Sequence, residues 1–490
     1  MKELIYTLVF LSLVSSVNAQ WQPDVRLTIS GDSYTSYNNA WCIASSGSFV
    51  HVVMSSMRNN TNPEIYYKRS TDSGISWSAD IRLSDNNSAF SSYPTVAVSG
   101  SFVHVIWVDE RDGGREIYYK LSTNAGLSWG SDTRLTNNQY GSLYPSLAVF
   151  GSVVHVVWTR LNGSGRKEIY YKRSLEGGLI WEEEINLTNN PDIMTGDASI
   201  AISGSIVHVV WNDYRDGNLE IYYRSSTNAG STWGAVTRLT NDPSTSLYPC
   251  ISIFGSVVHV VWQDNRDGNL EIYCKRSTDG GISWGADTRL TNNTAGSVYS
   301  SIAVSSSVVH VVWQDNRDGN LEIYCKRSTD GGISWGADTR LTNNTGSSEY
   351  SSVAVSGSVV HVVWSDDRDG HYEIFYKRNP TGNTIGIQNI SSDIPDKFSL
   401  LQNHPNPFNP MTKIRFDIAN GFPVITSGNE KVVLKVYNVM GREVQTLVDE
   451  RLQPGTYETS FDGSVLNSGV YFYKLISYGY SETKKMLLIK

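Results

Sequence analysis

A segment close to V-H-V-V-W-x-D-x-R-D-G-x-x-E-I-Y-Y-K-R-S returns seven times along the chain, with its histidine at positions 51, 104, 155, 208, 259, 310 and 361. Successive copies are 51 or 53 residues apart. A period in the tens of residues marks a repeat architecture, in which each unit is one supersecondary piece that buries its apolar faces only against its neighbours. Most residues of such a chain serve the repeat, so a functional residue has to be sought against a periodic background.

Residues 297–342 represent the unit. Residues 299–305 (YSSIAVS) and 321–327 (LEIYCKR) read as short strands, 308–314 (VVHVVWQ) as a strand apolar on both faces, and 335–342 (WGADTRLT) as a fourth. Turn residues fill the gaps at 305–307, 315–320 and 328–332, and helical periodicity is missing. A four-stranded antiparallel unit whose second strand has no wet face is expected of a propeller blade stacked between two others. Seven copies therefore predict an all-β chain with a seven-bladed β-propeller of four-stranded antiparallel blades over residues 20–385.

The ends of this region complement each other. After the seventh copy the chain reads Asn379-Pro380-Thr381-Gly382 and lacks the tryptophan strand, while Trp21-Gln22-Pro23-Asp24-Val25-Arg26-Leu27-Thr28 is an orphan copy of it. Residues 21–28 are expected to complete the last blade and so remove an open edge.

The 490-residue chain carries a formal net charge of -8, which gives no electrostatic case for a nucleic-acid partner. Lys2, an apolar run at 4–14 and Val17-Asn18-Ala19 read as a signal peptide over residues 1–19. No later apolar run approaches the ~20 residues of a membrane-spanning helix, so no transmembrane segment is expected in the mature chain. Cys42, Cys250, Cys274 and Cys325 are too sparse for a disulfide scaffold, and Cys274 and Cys325 stand where other copies have Tyr119, Tyr171, Tyr223 and Tyr376. No metal site or cofactor is expected. The Asp-Asn-Arg-Asp-Gly-Asn stretches at 264–269 and 315–320 suggest calcium only faintly, since their central arginine puts a cation where a ligand is wanted.

The loop before the fourth strand reads Ser70-Thr71-Asp72-Ser73-Gly74-Ile75-Ser76-Trp77, again at 277–284 and 328–335, with degenerate copies ending at Trp129, Trp181 and Trp233. This S-x-D-x-G-x-x-W frame resembles the Asp box, or BNR repeat, of sialidase-like (neuraminidase-like) β-propellers. Asp72, Trp77, Asp279, Trp284, Asp330 and Trp335 are read as structural, the carboxylate bonding backbone N–H groups and the tryptophan burying apolar area. The resemblance implies that the boxes face away from the active site. It also implies that a sialidase needs three converging arginines, a tyrosine nucleophile assisted by a glutamate, and an acidic proton donor. Here the arginines are periodic instead: Arg82, Arg134, Arg238, Arg289 and Arg340 share a strand position, and Arg111, Arg215, Arg266, Arg317 and Arg368 share a loop position. The Arg-Ile-Pro motif usual near the start of these enzymes is missing, and catalytic residues stay unassigned.

In a four-stranded blade the loop between second and third strands opens on the same face as the link between blades. That face gathers Tyr93, Tyr144, Tyr248, Tyr299 and Tyr350 with the loop charges Asp109, Arg111, Asp213, Arg215, Asp264, Arg266, Asp315, Arg317, Asp366 and Arg368. Aromatic rings beside carboxylates and guanidinium groups suit sugars, and repetition would make binding multivalent. The competing reading has the aspartates capping turns and Arg266 or Arg317 pairing with Glu271 or Glu322 across the hairpin. The histidines and Trp107, Trp158, Trp211, Trp262, Trp313 and Trp364 read as packing residues. Three copies break the symmetry: Asp197 replaces the tyrosine, Arg160-Leu161-Asn162-Gly163-Ser164-Gly165-Arg166 replaces the charged loop, and the first copy enters through Asp32-Ser33-Tyr34-Thr35-Ser36-Tyr37 and Trp41. Two carboxylates across such an axial pocket could hydrolyse a glycoside.

Past Thr384 the period stops, and residues 386–397 read as a linker. Alternating strands at 412–418, 431–437, 457–461, 470–476 and 483–489 predict a small Ig-like β-sandwich over 398–490. Pro405-Asn406-Pro407-Phe408-Asn409-Pro410, Val436-Tyr437-Asn438-Val439-Met440-Gly441 and Ser468-Gly469-Val470-Tyr471-Phe472-Tyr473 resemble the C-terminal sorting domain of the type IX secretion system. The resemblance implies type IX secretion machinery as partner and export to the extracellular side of a bacterial outer membrane. The expected job is recognition of glycans or other cell-surface polymers. An exo-acting glycoside hydrolase of sialidase type and a structural surface protein without ligand are the alternatives.

Overall fold

The computed structural model describes residues 21–29, 33–34, 42–58, 62–85, 89–190, 194–380, 388–391, 395–409, 411–419, 430–452, 454–463, 466–477 and 479–489. The expected signal peptide and the first-copy residues Asp32, Thr35, Ser36, Tyr37 and Trp41 lie outside them. Among the described residues no helix is long and apolar enough to cross a membrane.

The seven copies form seven antiparallel sheets, the sixth being Ser297–Ser305, Val308–Asp315, Glu322–Ser328 and Thr339–Arg340 in spatial order. The second strand is dry on both faces as the sequence demanded, with Val309, Val311, Val312 and Trp313 fully buried. Inner strands lie side by side around an axis, and the last, Ser348–Ser356, lies against the first, Ile43–Ser46. The terminal strand Val25–Arg26 pairs with Glu373–Asn379, Val25 opposite Tyr376. Gln22 N donates to Arg378 O at 2.9 Å and Leu27 N to Ile374 O at 2.8 Å. The ring is closed by the predicted N-terminal strand, and the fold is a seven-bladed β-propeller.

Two local features depart from the expected strands. The outer strand keeps only two residues, because the hydroxyl of Thr342 takes the Ile323 N–H at 2.8 Å in place of a backbone carbonyl. The first blade has an additional inner pairing, Ser33–Tyr34 with Phe49–Ser56.

The C-terminal unit is two antiparallel sheets. One orders Gln388–Ser391, Gly455–Asp462, Met411–Ile418 and Ser399–Leu400; the other orders Glu443–Leu452, Glu430–Asn438, Gly469–Ser477 and Tyr480–Leu488. Phe416, Val436, Phe461, Tyr473 and Leu475 are among its buried core. The stretch expected as linker contributes a strand, and Glu443–Leu452, too polar to alternate cleanly, escaped the sequence reading.

Candidate functional site

At one end of the ring each Asp box is a closed local structure. Asp72 accepts from Ile75 N at 3.1 Å, Ser76 N at 2.8 Å and Ser70 Oγ at 2.7 Å. Burial raises its carboxyl, but these bonds outweigh it and set it at about 2. Gly74 has φ +83°, and a Cβ there would overlap the Tyr376 hydroxyl of the preceding blade. Trp77 meets that same Tyr376 edge to face at 4.8 Å. Trp129 on Tyr67, Trp181 on Tyr119, Trp233 on Tyr171 and Trp284 on Tyr223 repeat the contact from blade to blade. Each such tyrosine in turn bonds its own blade's histidine, as Tyr67 Oη does His51 Nδ1 at 2.6 Å. Burial lowers the histidines to about 4 or 3, so they are neutral.

Where Cys274 and Cys325 replace the tyrosine, His259 Nδ1 and His310 Nδ1 are buried with no hydrogen-bond partner among the described residues. His259 leans into the space a tyrosine fills elsewhere, its Cε1 lying 2.8 Å from where a Gly332 Cβ would stand.

The loop charges at the opposite end are mostly internal to their blades. Asp109, Asp213, Asp264, Asp315 and Asp366 are fully buried. Asp264 accepts from Arg266 Nε at 2.9 Å and Trp262 Nε1 at 3.0 Å, and Arg266 continues to Asp287 at 2.8 Å. Burial raises the Asp264 carboxyl, but its bonds to Arg266, Trp262 and Ser246 bring it below the ordinary carboxylate value. Arg111, Arg215, Arg266, Arg317 and Arg368 lie over Tyr118, Tyr222, Tyr273, Tyr324 and Phe375 within 4.6 Å. Arg160 of the third copy reaches Glu184 from the aspartate's own position. The pairing weighed for Arg266 and Arg317 needs correction: Glu271 and Glu322 bind Arg289 and Arg340 of the outer strand, at 3.0 and 2.7 Å. The calcium-like stretches are thus filled by arginine, and among the described residues no group of three or more His, Cys, Asp or Glu is placed to hold a metal.

The tyrosines behave differently. In the second to seventh blades the inner strand carries one extra residue relative to its partner, with register shifts at 92/95, 143/146, 196/199, 247/250, 298/301 and 349/352. The residue on this bulge is Tyr93, Tyr144, Asp197, Tyr248, Tyr299 or Tyr350, each with φ between 50° and 53°. That is the geometry of a bulge whose first residue is ordinarily glycine. In two blades the backbone is held by a side chain from the preceding blade, Gln263 Oε1 accepting Tyr299 N at 3.0 Å and Gln314 Oε1 accepting Tyr350 N at 2.8 Å. Rings of adjacent blades meet, Tyr93 with Tyr144 and Tyr248 with Tyr299 at 5.1 Å, and Tyr299 with Tyr350 at 5.2 Å. Equivalent residues of neighbouring blades approach so closely only near the axis, so these side chains, partly exposed, surround the mouth of the central channel. Below them the channel is aliphatic, lined by residues such as Val98, Val149, Ile202 and Val304 around about 260 Å³.

Sequence reasoning missed a second set at this mouth. The residue before each buried third-strand glutamate is Leu219, Leu270 and Leu321 in three blades but Arg115, Lys167 and Tyr372 in others. Arg115 Nε donates to Glu110 at 2.8 Å, Lys167 Nζ lies 5.6 Å from the Tyr144 ring, and Tyr372 Oη donates to Glu349 at 3.0 Å. Burial pushes Asp197 up to about 6 while Lys167 pulls it down, and burial also raises Glu349. The signal was available: a leucine position that turns charged in two copies.

A family model described as BNR repeat-like domain matches residues 6–260, just over half the chain. The chain belongs to the BNR repeat-like family. A second model, the secretion system C-terminal sorting domain, matches residues 403–490 and makes this BNR-repeat chain a secreted surface protein of the type IX route. No curated protein matches the sequence. Similar solved structures include a protein of unknown function from Dyadobacter fermentans (14% identity, 60% of this chain and 95% of that one, TM-score 0.45). They also include phage phi92 endosialidase (9%, 87% and 80%, 0.45) and Trypanosoma rangeli sialidase (10%, 95% and 90%, 0.42).

Proposed function

We propose that this secreted propeller recognises a glycan, which meets it at the tyrosine mouth of the ring on the extracellular side of the outer membrane. One observation carries the reading: five tyrosines and one aspartate occupy a single left-handed bulge position around the axis. A left-handed backbone disfavours residues with a Cβ by about 1–2 kcal/mol, and glycine would satisfy the bulge without that strain. Strain held in every described copy, with partly exposed rings as its product, suits a binding surface better than a packing one. Phenol rings around an axis offer faces for sugar C–H groups and hydroxyls for their oxygens.

The test is a glycan array followed by titration calorimetry on the full chain. Saturable binding of a saccharide, abolished in the Tyr248→Asn/Tyr299→Asn double variant, is expected; silence across neutral and acidic glycans alike would overturn it. Asparagine keeps the left-handed backbone accessible while removing the ring.

A second reading, an exo-acting glycoside hydrolase, is favoured by Asp197, a mouth carboxyl raised to about 6. Against a sialidase stands the commitment of both periodic arginine series to Asp and Glu within the blades. Release of fluorophore from any of a panel of aryl glycosides, lost in Asp197→Asn, would establish the hydrolase, and no turnover across the panel would remove it.

A further inference from the structure

The tyrosine mouth is not uniform, and one sector departs from the repeat at two positions together. In the regular sectors the carbonyls of Leu219, Leu270 and Leu321 accept from Ser246 N, Ser297 N and Ser348 N of the next blade, at 2.8, 2.8 and 2.7 Å. Those serines precede Tyr248, Tyr299 and Tyr350 by two residues, so each leucine neighbours the next blade's tyrosine. Between the third and fourth blades the leucine is Lys167 and the tyrosine is Asp197, and there a side chain takes the carbonyl, Thr195 Oγ1 donating to Lys167 O at 2.8 Å.

A swap that served only the fold would close an ion pair. Lys167 and Asp197 form none, and Lys167 Nζ makes no hydrogen bond among the described residues; it stands 5.6 Å from the Tyr144 ring instead. The Asp197 carboxylate has one Asn212 amide against Oδ2, at 3.0 Å in the amide orientation that satisfies both groups. A strong donor and a strong acceptor thus stand side by side, unjoined, between Tyr144 and Tyr248. Adjacent hydroxyls of a sugar ring complement that arrangement, one donating to the carboxylate and its neighbour accepting from the ammonium.

The surrounding charge selects among sugars. Glu110, Glu349 and Asp367 join Asp197 at this end, against Lys167, Arg166 and an Arg115 already paired with Glu110. Carboxylates outnumber cations, so an acidic sugar would meet repulsion. Resting on the glycan reading above, we infer that the ring takes a single neutral saccharide, oriented by two neighbouring hydroxyls held between Lys167 and Asp197.

The experiment is calorimetric titration of the full chain at low ionic strength. The probes are methyl glycosides of glucose, galactose and mannose and the neutral array hits, set against glucuronic acid and N-acetylneuraminic acid. One neutral saccharide per chain should bind and the acids should not. Lys167→Met and Asp197→Asn should each weaken binding roughly tenfold or more with an unchanged melting temperature, while Ile282→Ser on the opposite end leaves it unchanged. Acidic sugars binding as tightly as neutral ones would overturn the inference. So would full affinity in both variants, and in either case the glycan reading survives. Absence of binding by every saccharide, neutral or acidic, would defeat the glycan reading itself.

Discussion

The two ends of the propeller use unusual residues for opposite purposes. At the Asp-box end, where the first blade meets the seventh, each departure from ordinary strand chemistry has a partner that needs it: Asp72 holds its turn, Gly74 makes room for Tyr376, Trp77 covers that tyrosine, and the tyrosine bonds a buried histidine. At the mouth the left-handed backbones of Tyr299 and Tyr350 are held by bonds that glycine would make equally well. The same periodicity accompanies both, so recurrence alone does not separate scaffold from site. What separates them is whether the side chain is required by its neighbours.

That contrast can be broken most forcefully through the histidines. Their folded pKa values, about 4 or 3, lie below the unfolded value of about 6.5. The folded ring therefore binds fewer protons, and stability complete above pH 6.5 is lost as pH falls toward 4. One histidine held at about 4 corresponds to ~3 kcal/mol, so a few of the seven suffice against a typical ~5–15 kcal/mol. Urea midpoints measured from pH 7.5 to 4.5 should collapse across that window. A flat profile to pH 5 would show that the histidines do not hold the ring as described. The Asp-box carboxylates add nothing here, since their depressed values put their loss nearer pH 2.

Next in size is Asp264→Ala, which removes the fully buried acceptor of Trp262 and of a half-buried Arg266 that keeps only Asp287. Removing one partner of a buried pair costs about 3–5 kcal/mol, read as a fall in denaturation midpoint. A loss under about 1 kcal/mol, the range of surface pairs, would return these loop charges to the list of ligand groups.

Cys274→Tyr should act in the other direction. It restores a hydroxyl to His259 and a ring against Trp335, for a gain of about 1–2 kcal/mol. No gain would mean the fifth blade has repacked around His259 for good.

The blade count, the ring closure and the sorting tail were legible because each rests on local pattern: the apolar second strand, the orphan Trp21 strand and the motif blocks after Pro405. The mouth was only half legible. Tyrosine at a strand start gives no hint of a left-handed backbone, which glycine normally announces. Arg266 was matched with Glu271 because the two share one hairpin, whereas the outer strand brings Arg289 to that glutamate instead. Lys167 and Arg115 went unseen because attention to the repeat hides a residue whose meaning is its departure from it.

The most direct test of the account is to measure melting temperature and saccharide affinity together on Tyr299→Gly. If the tyrosine is kept for a ligand, glycine relieves the strained bulge, and stability should hold or rise by up to about 1 kcal/mol while affinity falls. A melting temperature that drops together with the affinity would contradict the account, because it would make the tyrosine ring part of the scaffold.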